Sequence, residues 1–155
     1  MAGRAESFKV NRKPITVGLQ QFLATTYSLY LKTQNFHWNV TGPIFNMLHA
    51  FFEAQYEELA NAVDLIAERI RALDHYASGS FSEFIKLTRI KDATGKKNAE
   101  EMIEELVADH RIIVDLIREL LPISEDCEDL ASQDLLIERL KTHEKAIWML
   151  NSFLG

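Results

Sequence analysis

The chain has 155 residues, 47% apolar and 26% charged, with 17 Lys+Arg against 23 Asp+Glu for a formal charge of −6. That length fits one domain, large enough to bury about 70% of the surface its unfolded chain would expose. The apolar share excludes disorder, the single Cys127 excludes a disulfide framework, and the acidic balance argues against a protein built mainly to grip nucleic acid. Residues 1–14 hold no apolar leader, and the longest uncharged stretch, Ile15–Leu31, is broken by Gln, Thr, Ser and Gly. With one thiol, these features predict a soluble cytoplasmic protein with no membrane span.

In chain order, residues 1–13 read as a short basic tail and residues 14–155 as one helical domain. Pro14 is suited to open a first helix, running to about Asn39, where Thr41-Gly42-Pro43 breaks it. A second runs from about Ile44 to His75, with Leu48, Phe51, Phe52, Leu59, Val63, Ile66 and Ile70 near helical spacing. Ser78-Gly79-Ser80 stops it, and Ser80 with Glu83 forms a capping box for a short helix, Phe81–Ile90. Lys91–Lys97 reads as a loop. Asn98 with Glu101 caps a third long helix whose stripe is Ile103, Leu106, Val107, His110, Val114, Ile117 and Leu121, and Pro122 is expected to end it. The acidic run Glu125–Asp129 leads into a fourth, with Leu136, Leu140, His143, Ile147, Leu150 and Leu154 on one side. The prediction is an all-α four-helix bundle. A short extra helix sits in a crossover long enough for the second and third helices to run parallel, the ferritin-like connection.

The histidines separate by position. His110 and His143 lie on apolar stripes and read as core-edge side chains with hydrogen-bonded rings, while His75 ends the second helix, where a cation suits the macrodipole. His37 and His49 differ. His49 and Glu53 stand at i,i+4, as do Asp64 and Glu68, and all four fall on about one stripe of the second helix. Nitrogen and carboxylate ligands at that spacing suit iron, zinc or manganese; an ordinary solvated acidic face is the competing reading.

Fifteen positions part His49 from Asp64, about 22 Å of helix, so the two pairs cannot hold one ion within one chain. Two such helices packed antiparallel about a two-fold axis near Tyr56–Leu59 would bring His49 and Glu53 of one against Asp64 and Glu68 of the other. A di-iron site inside a single bundle would instead use Glu-x-x-His. The residues three before each histidine are Gln34, Asn46, Ala72, Val107 and Leu140, and none is Glu.

The string His37-Trp38-Asn39-Val40-x-Gly42-Pro43, followed by His49-x3-Glu53 and Asp64-Leu65-Ile66-Ala67-Glu68-Arg69, resembles the Dps family, the mini-ferritins. The resemblance spans essentially the whole chain. It implies a homo-oligomeric hollow shell of twelve subunits that oxidises Fe(II), with hydrogen peroxide preferred over dioxygen. The ferric mineral is stored inside, which protects against oxidative damage. It implies iron at two-fold interfaces and no haem, with His37, His49 and Glu53 from one subunit and Asp64 and Glu68 from its neighbour. By the same likeness Trp38 matches a tryptophan that intercepts stray oxidising equivalents, an interface-packing aromatic being its plainer role. Acidic residues before and within the start of the fourth helix, with Asp129 and Asp134 as the choice, would line an iron-entry pore.

Dps proteins that condense DNA use a lysine-rich terminal extension. Residues 1–13 carry Arg4, Lys9, Arg12 and Lys13 against Glu6, a net +3 that leaves −9 on the remainder. DNA binding, and with it a nucleoid location, is therefore not favoured. A DNA-compacting stress protein with secondary iron chemistry is the alternative function.

Overall fold

The computed structural model describes residues 10–155. Arg4, Glu6 and Lys9 of the basic tail lie outside the described residues, whereas Arg12 and Lys13 lie within them. Among the described residues the chain forms five helices and no strand: α1 (Lys13–Asn39), α2 (Phe45–Ala72), α3 (Phe81–Leu87), α4 (Ala99–Asp126) and α5 (Leu130–Leu154). No helix among them is long and apolar enough to cross a membrane.

Contacts along the helices fix their directions. His37 meets His49 across the α1–α2 turn, while Gln20 near the start of α1 reaches Ser78 beyond α2, so these two helices are antiparallel. Lys32 late in α1 pairs with Glu105 and Asp109 early in α4, at 2.6 and 2.8 Å, so α1 and α4 are also antiparallel. Hence α2 and α4 run parallel, and the segment carrying α3 is the long crossover between them. Gly18 on α1 lets α4 come close: a Cβ there would stand 2.3 Å from a Leu120 methyl. Leu19, Phe22, Leu29, Phe36, Leu48, Phe52, Ile66, Leu106, Ile117, Leu136 and Leu150 meet in one core between the four long helices. This is the ferritin-like bundle with its extra helix.

The ends repay the local chemistry. Asn98 and Glu101 make the full reciprocal capping box on α4. On α3 the Ser80 hydroxyl donates to the Glu83 carboxylate at 2.7 Å and accepts the Glu83 N–H at 3.3 Å. Pro122, expected to end the third long helix, lies inside α4, which continues to Asp126. Proline removes one N–H, and the carbonyl it orphans belongs to Arg118, on the exposed face with Pro122, where water can take the bond. The helix instead stops at a Schellman motif: Glu128 takes φ 50°, its N–H reaches the Glu125 carbonyl and the Asp129 N–H reaches Ser124. The same motif ends α2 through Asp74 at φ 65° and His75, three residues before the expected end.

Candidate metal centre

The α1–α2 turn brings two histidines from opposite helix ends into a mutual clasp. His37 Nδ1 lies 2.7 Å from the His49 carbonyl oxygen, and His49 Nδ1 lies 2.7 Å from the His37 carbonyl oxygen. A carbonyl only accepts, so each Nδ1 must carry a proton, which leaves Nε2 as the ring nitrogen that could serve a metal. The rings stack with centroids 3.8 Å apart at 13°. Phe45 covers the other face of His49 at 5.0 Å, and Tyr56 sets its ring edge-on to His37 at 5.1 Å. The second-sphere arrangement that orients histidine toward a metal is thus supplied by backbone carbonyls.

The carboxylates stand apart from this pair. Glu53, Asp64 and Glu68 are exposed on α2. Because α2 is one unbroken helix from Phe45 to Ala72, Asp64 and Glu68 are held about 22 and about 28 Å along it from His49. Among the described residues no group of three or more His, Cys, Asp or Glu side chains lies close enough to hold a metal ion. One chain therefore gathers two candidate nitrogen ligands, His37 and His49, and leaves three candidate carboxylates exposed.

Other acidic side chains have partners within the chain. Asp129 is 1% exposed and serves as the N-cap of α5: its carboxylate accepts the Ser132 N–H at 3.1 Å and pairs with Arg69 at 2.6 Å. Burial would raise its pKa, but the Ser132 hydroxyl and N–H and the Arg69 charge outweigh that and hold the carboxyl below its ordinary value. Asp134, by contrast, is exposed. Glu58, half-buried on α2, forms an ion pair with Arg139, one contact being 2.8 Å.

That ion pair leads to the two histidines of the apolar stripes, whose partners the sequence did not show. The Arg139 guanidinium donates to His143 Nε2 at 3.0 Å, and the His110 and His143 Nδ1 atoms lie 2.9 Å apart. Since Arg139 can only donate, His143 must donate from Nδ1 to His110 Nδ1, leaving the His110 proton on Nε2. Both rings are buried beyond the core edge, at 3% and 0% exposure. Burial and then Arg139 push His110 down to about 3, and burial, His110 and Arg139 push His143 well below its ordinary value. His75 behaves as expected of a helix end, its Nδ1 donating to the Leu73 carbonyl at 2.8 Å.

Trp38 is 60% exposed and borders a groove with Leu31, Phe81, Phe84 and Ile85 on α1 and α3. The aromatic ring edge-on to His37 is Tyr56, from α2. Successive helical residues diverge by about 100°, so Trp38 and His37 leave α1 in different directions.

Comparison with known proteins places the chain. The ferritin-like domain family matches residues 17–155. A DNA protection during starvation protein of Brevibacillus brevis is 36% identical, over 90% of this chain and 94% of that one. The chain belongs to the Dps family of ferritin-like proteins. Among solved structures, Dps from Staphylococcus aureus superposes with a TM-score of 0.91 at 34% identity, covering 94% of this chain and 98% of that one. Dps from Vibrio cholerae O1, described as a member of a broad superfamily of ferritin-like diiron-carboxylate proteins, gives 0.89 at 30% identity over 93% and 91%. The Dps fold is thus matched from end to end of the described bundle.

Proposed function

We propose that this Dps protein is a ferroxidase that oxidises Fe(II) at sites shared between two subunits and stores the ferric product inside a homo-oligomeric shell of twelve chains. The observation that carries the reading is the histidine clasp: two rings stacked at 3.8 Å, each held by Nδ1 on the other residue's backbone carbonyl, so that Nε2 is left for a ligand. Imidazole nitrogens with carboxylate oxygens form a donor set for iron. Antiparallel pairing of two α2 helices supplies the rest, setting Asp64 and Glu68 of one chain against His37, His49 and Glu53 of the other. Exposed apolar side chains support assembly, since Trp38, Phe81 and Ile85 are 60, 71 and 72% exposed beside one groove.

Iron is the substrate. Carboxylates stabilise hard Fe(III) over Fe(II), so oxidation is favourable in such a site, and coordination positions left open admit the oxidant. Hydrogen peroxide is the oxidant the Dps likeness favours. Two Fe(II) ions give it two electrons and spare the one-electron step that releases hydroxyl radical. Asp134 remains the candidate for the entry path, the work is set in the cytoplasm, and defence against oxidative damage follows from removing both reactants.

The test is anaerobic. Protein loaded with two Fe(II) per site and then given peroxide should show ferric absorbance rising much faster than in protein-free buffer, two irons being consumed per peroxide. A rate equal to that of buffer would contradict the reading.

A further inference from the structure

Contacts between α2 and α5 are spread along their shared seam. Arg69 pairs with Asp129 at one end, Phe51 meets Phe153 at the other, and Glu58 pairs with Arg139 between them. The middle link is the one built on histidines. Beside it lies a cavity of about 50 Å³, bounded by Gln55 and Leu59 of α2 and by Thr142 and Ala146 of α5. Three buried atoms of its lining, His110 Nε2, Arg139 Nε and Gln55 Oε1, have no hydrogen-bond partner among the described residues. Opening the seam here returns those atoms to water, which lowers the cost of opening.

The network has no ring lone pair left for an added proton. His143 Nε2 accepts from Arg139 at 3.0 Å, and His110 Nδ1 accepts from His143 at 2.9 Å. The other two ring nitrogens carry the hydrogens. A proton added to either ring must break one of these bonds, and it sets a second positive charge beside the guanidinium, out of water. No neighbouring element offers a free charge to offset it. Glu58, facing from α2, is already paired with Arg139, and Lys32, the buried charge of α1, is tied to Glu105 and Asp109 of α4 at 2.6 and 2.8 Å. Burial first, and the charge of Arg139 in addition, hold both rings below the ordinary imidazole range.

We propose that this network is an acid-sensitive latch on assembly: proton uptake by His110 and His143 drives Arg139 from the seam, frees Glu58 and loosens the shell at its two-fold axes. The inference rests on the antiparallel pairing of two α2 helices proposed above. An axis near Tyr56–Leu59 sets Glu58 of each chain close to its own copy, because a residue at a two-fold axis meets itself. Beside Arg139 each carboxylate is neutralised. Once free, the two repel across the axis. The closed seam cannot take the protons and the opened seam can, so acid shifts the population toward the open form. Each pH unit below the ordinary imidazole value favours that form by up to about tenfold per ring, or about a hundredfold for the pair. The shell then comes apart while its subunits stay folded.

The full-length protein is taken stepwise from about pH 7.5 to about pH 4.5, with mass read by light scattering and helix content by circular dichroism. The wild type should dissociate within that range with its helix content kept, and re-form on return to the starting pH. His110→Gln combined with His143→Gln keeps a donor and an acceptor at each position but does not titrate there. It should hold the shell together to a pH lower by about one unit or more. Arg139→Met frees Glu58 at every pH and should move dissociation toward neutral pH; adding Glu58→Gln to it should restore assembly. His75→Gln, at a helix end outside the network, should behave as wild type. An unchanged midpoint in the double glutamine variant would overturn the proposal, as would Arg139→Met shells as stable as wild type. So would a wild-type shell intact at the lowest pH, or one that loses helix and mass together. Failure of the assembly reading shows separately, as no oligomer in the wild type at the starting pH.

Discussion

His110 and His143 stand neutral in the folded chain, and that choice has a cost in acid. Both rings are pushed below their ordinary value by burial first, and then by the Arg139 guanidinium that Glu58 pairs with from α2. A base depressed by folding binds fewer protons in the native state. Its stabilisation is complete above the unfolded value near 6.5 and is lost as the pH falls below it, toward about 3 for His110. Between pH 7.5 and 5.5 each histidine should take away about 1.4 kcal/mol, so about 3 kcal/mol for the pair. In chemical denaturation, His143→Leu should therefore flatten the loss between these pH values relative to wild type; parallel curves would show that the pair is not the acid-sensitive element. Only part of this was legible in the sequence. The stripe placed both histidines on apolar faces, but the Arg139–Glu58 pair joins residues 81 positions apart, and Glu58 has the same local pattern as any surface acid. His37 and His49 were legible as ligand candidates. Their clasp was not, because it depends on the register of α1 against α2 across the turn.

Helix ends carry a second lesson. The starts were readable because caps are local: Ser80 and Asn98 with an acid three residues on, and Pro14 within the first turn of α1. The stops were harder. Pro122 looks like a terminator, yet α4 runs four residues past it, since its orphaned carbonyl faces solvent and Leu120 keeps the core contact. The true stop uses Glu128 at φ 50°, a left-handed conformation that glycine adopts without strain and glutamate does not. Glu128→Gly should accordingly stabilise the protein by about 0.5–1 kcal/mol in thermal or chemical unfolding. Equal or lower stability would mean that the glutamate side chain contributes more at this turn than its backbone costs. The bundle and its crossover were legible as a whole because apolar periodicity and short turns leave few other ways to bury four stripes.

At the scale of the whole molecule, charge and symmetry decide what the shell does. Duplex DNA added to the native protein should shift little at physiological salt in a gel assay, since residues 14–155 carry −9 against +3 in residues 1–13. Large complexes that disappear when residues 1–13 are trimmed would instead make the tails effective through avidity. The central claim is that the iron site belongs to two chains, and His37→Ala mixed with Asp64→Ala tests it most directly. Each variant alone should lose most peroxide-driven iron oxidation while staying folded, because each breaks every site. The two are unfolded and refolded together, mixed oligomers are confirmed by mass, and the rate is measured. Random assembly leaves about one shared site in four with an intact histidine side and an intact carboxylate side, so about a quarter of the wild-type rate should return. A site confined to one chain would carry a mutation in every subunit, and verified mixed shells without any recovered activity would contradict the account.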